Sequence, residues 1–218
     1  MSQRVLVTGA SKRLGALICY ALAENGYDLC IHYRTSQKEA EEVKARCQEM
    51  GVDAEIVCGD LLSIDFRPID HLINNVGVYT KESLLDYTLD EWKDCFEVNC
   101  FAPFALTKRF LPTLKSVINI GVSGLENSDK QRSLYRLTKK TLLHITKMLA
   151  SELAPKGICV NMVSPGQLSI SEDLPDNLGS LPMKRAVEPS EITQMILFLL
   201  KSPSITGQNI DISGGLGL

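Results

Sequence analysis

The sequence predicts an α/β fold: one doubly wound domain whose parallel seven-stranded sheet is covered by helices on both faces. Three observations carry this. Short apolar runs alternate with amphipathic stretches long enough to be helices, the pattern of a parallel sheet buried on both sides. The first run, Arg4–Val7, passes directly into Thr8-Gly9-Ala10-Ser11-Lys12-Arg13-Leu14-Gly15 and then into a helical pattern. The 218 residues, 44% of them hydrophobic, suffice for one substantial core.

The elements follow in order. Residues 16–25 carry the first helical pattern, Asp28–Tyr33 the second strand, residues 37–50 a charged helix and residues 53–58 a third strand. His71–Asn74 ends a fourth. Only nine residues separate Asp60 from Asp70, and Pro68 is among them. A crossover between parallel strands normally needs a dozen or more residues, so the helix between strands three and four is expected to be shortened or lost. Residues 89–111 read as a long helix with a break near Pro103. Ser116–Ile120 is the fifth strand, residues 134–153 a helix, residues 158–163 the sixth strand, Pro189–Leu200 a helix and Asn209–Ile212 the seventh strand. Residues 1–218 read as a single domain, with residues 167–189 a compact loop over a small substrate.

Composition narrows the class. The net charge is −3 with scattered basic residues, which argues against a nucleic-acid partner. No apolar run approaches the ~18 residues of a membrane span. The chain opens almost directly on a strand, so no leader is expected, and the expected location is cytoplasmic. Seven cysteines form no Cys-x-x-Cys pair and read as reduced, mostly buried thiols. His32, His71 and His144 are scattered, and no metal site is expected.

Two motifs carry chemistry. Gly9 permits a tight turn, Gly15 permits close packing of helix on sheet, and a helix start offers unpaired N–H groups to a phosphate. Tyr135 and Lys139 are four residues apart and share a helical face. A neighbouring ammonium is expected to lower the phenol's pKa, giving a proton donor and acceptor suited to reducing a carbonyl or oxidising an alcohol.

With these residues in place, the whole chain resembles the short-chain dehydrogenase/reductases. The matching pieces occur in that family's order. They are Thr8-Gly9-x5-Gly15, Asp60, Asn74-Asn75-Val76-Gly77, Val98-Asn99, Tyr135-x-x-x-Lys139, Ser164-Pro165-Gly166 and Gly207-Gln208…Ser213-Gly214-Gly215. The resemblance implies a Rossmann-type fold and a homodimer or homotetramer formed through the long helices. It implies a cofactor site of Gly9, Ser11, Lys12, Arg13, Leu14, Gly15, Tyr33, Arg34, Thr35, Asp60, Leu61, Asn75, Val76, Gly77, Tyr135, Lys139, Pro165 and Gly166. Tyr135 would donate the proton and Lys139 would bond the nicotinamide ribose. Asn99 would hold a water feeding the lysine.

The second strand ends in His32-Tyr33-Arg34-Thr35-Ser36, without the acid that usually accepts the ribose hydroxyls of NAD. Arg13 and Arg34 are expected near the adenosine ribose, where guanidinium groups suit a 2′-phosphate. NADPH is therefore the expected cofactor. These segments resemble the pteridine reductase branch, which implies that Tyr79 stacks on a flat pterin. Asp129 and Arg132 read as surface charges. A second reading is a 3-oxoacyl-carrier-protein reductase, with Lys81, Arg109 and Lys184-Arg185 receiving an acidic carrier. A third is an NADPH-binding sensor or scaffold without turnover. One departure bears on all three: the family's catalytic serine falls at Val122, and Ser123, one residue on, is the candidate replacement.

Overall fold

The computed structural model describes residues 2–79, 83–126 and 132–216. Strands β1 (Arg4–Val7), β2 (Asp28–Tyr33), β3 (Ala54–Cys58), β4 (His71–Asn74), β5 (Ser116–Ile120), β6 (Cys159–Pro165) and β7 (Asn209–Ile212) form one sheet in the order β3-β2-β1-β4-β5-β6-β7. Every pairing is parallel. The helices are α1 (Arg13–Glu24), α2 (Gln37–Glu49), α3 (Leu89–Phe96), α4 (Ala102–Phe110), α5 (Ser133–Leu153) and α6 (Pro189–Leu200).

Alternation along each strand feeds two cores. Val5, Val7, Leu29 and Ile31 face Ile18 and Leu22 of α1, Val43 and Cys47 of α2, and Ile192 and Ile196 of α6. Leu6, Cys30, Leu72 and Val117 face Leu106 and Phe110 of α4 and Ala150 and Leu153 of α5. Each fully buried Leu or Ile here contributes about 1.5–3 kcal/mol relative to exposure.

The second face lacks a helix over β2 and β3, as the short spacing requires. Residues 59–70 must travel from the end of β3 to the start of β4, three strand places away and one strand length back. That span is roughly 22 Å from standard sheet dimensions. Twelve helical residues would advance only ~18 Å, whereas extended ones reach up to ~40 Å. The segment instead makes one turn, with the Ser63 and Ile64 N–H groups donating to the Asp60 carbonyl at 3.1 Å. It then crosses the sheet as a strap. Leu61 and Ile69 are buried beneath it. Phe66 sets its ring edge-on to Phe110 at 5.9 Å and to His32 at 6.3 Å. Arg109 of α4 pairs with Asp65 and donates to the Ile64 carbonyl.

The expected helix break is a π-turn, Glu97–Phe101, in which the Ala102 N–H reaches back to the Glu97 carbonyl. Pro103 has no N–H to give the Asn99 carbonyl four residues back. Such turns recur at functional sites, and this one contains Asn99.

Candidate active site

Strands β2 and β4 flank β1, so the chain builds outward from β1 first on one side and then on the other, and a crevice opens above the carboxyl ends of the strands. A cleft of about 180 Å³ lies there. Of the residues expected to hold a cofactor, Gly9, Ser11, Tyr33, Arg34, Thr35, Asp60, Leu61 and Val76 line it. His32, Ser36, Gly59, Leu62, Val78, Glu97, Val98 and Ala102 line it as well and were not among the residues expected there.

The glycine loop is tightly folded. Gly9 has φ +63°, and a Cβ there would stand 2.8 Å from Val76 Cγ2; one on Gly15 would stand 2.3 Å from the Gly9 carbonyl oxygen. Lys12 caps α1 without a side-chain bond, and no acid occupies the first turn, which leaves N–H groups open to a phosphate. Asn75 donates to the Thr8 and Gly9 carbonyls at 3.0 Å, so its amide clasps the loop and is not among the cleft-lining side chains. Leu14 is buried in the core below.

His32, read from the sequence only as part of the motif that ends the second strand, has a role that the sequence did not show. Its Nδ1 accepts the Gly9 N–H at 3.2 Å, which leaves Nε2–H to donate to the Gly59 carbonyl at 3.0 Å. One buried ring thus ties the glycine loop to the end of β3, and burial holds its pKa below the ordinary histidine value. The signal was available in principle: a histidine at the end of a strand beside a glycine turn.

The two arginines separate. Arg34 lines the cleft. Arg13 does not; it pairs with Glu172 in the loop after β6, both side chains being well exposed. Of the two guanidinium groups expected together, one lines the cleft. Arg13 adopts φ +50°, a glycine-like conformation, and its side chain is directed across to the loop. Lys12 pairs with Glu39 of α2 at 2.7 Å.

Gly77 lies between the cleft-lining Val76 and Val78. Asn99 Oδ1 and Lys139 Nζ each approach to 3.5 Å of where a Cβ would stand. Asn99 accepts from the Val78 N–H at 2.8 Å and donates to the Val78 carbonyl at 3.0 Å and to Thr138 Oγ1 at 2.9 Å. The Thr138 hydroxyl donates to the Tyr135 carbonyl at 2.7 Å.

The expected acidified phenol is also corrected. Burial pushes Tyr135 up to about 12, with the neighbouring Tyr79 adding to the rise, while Arg132 and Arg136 oppose it. Lys139 does not offset this. Its Nζ donates to the Ile120 carbonyl at 2.7 Å and stands 5.7 Å from the Tyr135 ring centroid. Burial lowers the lysine to about 8. Sharing a helical face placed the two residues together, but the long lysine stem folds back onto β5.

Val122 packs against Leu125, Leu142 and Met162. Ser123 is buried, and its N–H donates to the Pro165 carbonyl at 3.0 Å. Gly166 packs so closely on Ser213 that a Cβ would come within 2.7 Å of its Cα. Tyr79 sets its ring 5.1 Å from that of Tyr135 at 84°. Arg132, read as a surface charge, is instead two-thirds enclosed and pairs with Asp173 at 2.6 Å. Lys81 and Asp129 lie outside the described residues. All seven cysteines are free, and Cys58 alone among them is exposed.

Comparisons with known proteins agree with this fold. The enoyl-(acyl carrier protein) reductase family profile matches residues 9–217. The chain is 32% identical over 243 residues to 3-oxoacyl-[acyl-carrier-protein] reductase FabG of Staphylococcus epidermidis, covering 99% of each. It superposes on FolM alternative dihydrofolate reductase 1 of Brucella canis, complexed with NADP, with TM-score 0.90 and 30% identity, covering 99% of this chain and 94% of that one. It also superposes on a metagenomic blue fluorescent protein complexed with NADPH, with TM-score 0.91 and 26% identity, covering 99% and 98%. With a family profile that matches residues 9–217 and relatives that match over 99% of the chain, the chain belongs to the short-chain dehydrogenase/reductase family and is an oxidoreductase.

Proposed function

We propose that the protein is an NADPH-dependent reductase of a small planar ring of the dihydropterin or dihydrofolate kind, with Tyr135 as proton donor. The observation that carries this is the aromatic wall that Tyr79 forms 5.1 Å from the Tyr135 ring. The likeness to the NADP-bound FolM structure supports the same reading.

The residues present fit a phosphorylated dinucleotide. The glycine loop and the open start of α1 would hold the pyrophosphate. Arg34, Thr35 and Ser36 at the start of α2 would receive the 2′-phosphate, and Asp60 and Leu61 would border the adenine. Pro165 and Gly166 would border the nicotinamide. The bound cofactor supplies a hydride to the C=N or C=O carbon.

The chain's own groups do the rest. Tyr135, with its pKa raised to about 12, holds its proton at neutral pH and gives it to the nitrogen or oxygen that receives the electron pair. Lys139, lowered to about 8 yet still mostly charged at neutral pH, returns a proton toward the phenol. Asn99 orders that route through the π-turn. Ser123 offers a hydroxyl to the developing charge, where Val122 has none.

Full-length identity to the staphylococcal FabG favours a 3-oxoacyl thioester as the second reading. Two of the cations expected to receive an acidic carrier are already engaged: Arg109 with Asp65, and Arg185 with Glu191 at 2.7 Å. NADPH oxidation with dihydrobiopterin, dihydromonapterin, dihydrofolate and acetoacetyl thioesters decides. Turnover of a dihydropterin or dihydrofolate supports the proposal, and turnover of thioesters alone rejects it. Tight NADPH binding without turnover leaves the sensor or scaffold reading.

The proposal extends to a cytoplasmic homodimer or homotetramer built on α4 with the π-turn before it and on α5, where Phe101 of the turn and Met148 of α5 are more than half exposed. A monomer in sedimentation would remove that part. Among the described residues no helix is long and apolar enough to cross a membrane.

A further inference from the structure

Side chains from three segments converge on one carboxylate of the loop after β6. Asp173 Oδ2 accepts from Arg132 Nη2 at 2.6 Å and from the Tyr79 hydroxyl at 3.3 Å. Its Oδ1 accepts from Gln167 Nε2 at 3.2 Å. The charge is held firmly: burial alone would raise this carboxyl, but the Gln167 bond, the Arg132 charge and the Tyr79 hydroxyl together keep it below the usual range. Arg132 takes the left-handed conformation at the start of α5, three residues before Tyr135, and its guanidinium lies over the Tyr79 ring, 5.2 Å from the centroid. Tyr79 in turn meets Tyr135 edge to face. Asp173 thus reaches the phenol through one intervening ring.

The neighbouring acid points elsewhere. Glu172 pairs with Arg13 of the glycine loop, and both side chains are mostly exposed. The Asp173–Arg132 pair is far more enclosed, with side-chain exposures of 28% and 34%. Charge-assisted bonds of that kind are stronger than surface pairs and fix the groups they join.

We propose that Asp173 is the positioning residue of the substrate pocket: by holding the Tyr79 hydroxyl and the Arg132 guanidinium together, it fixes the ring that walls the Tyr135 phenol. A wall locked before binding spares the substrate the cost of ordering it. Asp173 therefore governs how a ring or carbonyl compound seats, while leaving the dinucleotide's grip alone. The kinetic readout rests on the reductase reading above; the structural readout does not.

The test compares Asp173→Ala, Asp173→Asn, Glu172→Gln, Tyr79→Phe and the Asp173→Ala/Tyr79→Phe double variant. The substrate is whichever compound the screen above shows to be turned over, and NADPH affinity is followed by fluorescence. Asp173→Ala raises KM roughly ten-fold, with NADPH affinity and kcat within about two-fold. Asp173→Asn, which keeps an acceptor but not the charge, recovers part of the loss. Glu172→Gln, at an exposed pair, moves KM less than about two-fold. Tyr79→Phe also raises KM, and the double variant is no worse than Asp173→Ala, because both cut the same link. An equal KM rise in Glu172→Gln, a parallel fall in NADPH affinity, or additive losses would overturn the proposal. If no compound is turned over, the reductase reading fails and amide hydrogen exchange decides. Asp173→Ala then speeds exchange at residues 78–79 and 132–135 as well as in the loop; acceleration confined to the loop overturns the proposal.

Discussion

Arg13 occupies φ +50° at a turn in which its side chain leaves the cleft for Glu172. Its backbone is thus the costly part and its charge the dispensable part. A left-handed non-glycine residue costs roughly 1–2 kcal/mol, partly offset by glycine's greater freedom when unfolded. Arg13→Gly is accordingly expected to leave stability unchanged or raise it by about 0.5–1 kcal/mol in chemical denaturation. NADPH affinity should shift less than about three-fold, while Arg34→Ala should lose about ten-fold or more. Equal losses in the two variants would restore the paired arginines that the sequence suggested. That Tyr135 and Lys139 share a helix and that Asn99 lies near a helix break was legible in the sequence, but their electrostatics were not. A four-residue interval specifies a shared helical face and says nothing of the Ile120 carbonyl that captures the ammonium. The role of His32 went unread for the same reason: its two partners, Gly9 and Gly59, lie far from it in the chain.

The strap over residues 59–70 shows what counting can do at the scale of an element. The missing helix followed from the nine residues between Asp60 and Asp70; the contacts that hold its replacement did not. The strap depends on Phe66 reaching both Phe110 and His32, partners that only the folded sheet brings together. Phe66→Ala should cost about 2 kcal/mol, less than the 3–5 of a fully buried phenylalanine because this ring is only partly covered. Urea denaturation measures it; a loss below about 0.5 kcal/mol would mean that the strap is held by other contacts. The π-turn was legible only as a break near Pro103. Its consequence, consecutive residues both engaging α5 through Asn99–Thr138 and Cys100–Thr138, needed the coordinates.

Across the whole molecule, the far end of the sheet carries a separate sensitivity. His71 is buried at the start of β4, its Nδ1 2.8 Å from Ser116 Oγ and its Nε2 3.1 Å from Gln3 Oε1. Burial lowers it to about 4, Asp70 opposing and Lys115 assisting. A base with a depressed folded pKa stays neutral in the fold while the unfolded chain takes up a proton. Its favourable contribution is therefore complete above the unfolded value of ~6.5 and is lost as pH falls toward about 4, by roughly 3 kcal/mol in all. Denaturation midpoints at neutral and mildly acidic pH measure this, and His71→Gln should flatten the slope across that window. An unchanged slope would place the acid sensitivity elsewhere. The order of strands has a different kind of consequence. The crevice exists because β1 has neighbours reached from opposite directions, and no reactive side chain is needed to open it. Holding a dinucleotide and acting with it are thus separable properties. A descendant stripped of its phenol would keep a berth for the coenzyme, so chemistry can be lost by one substitution while occupancy survives.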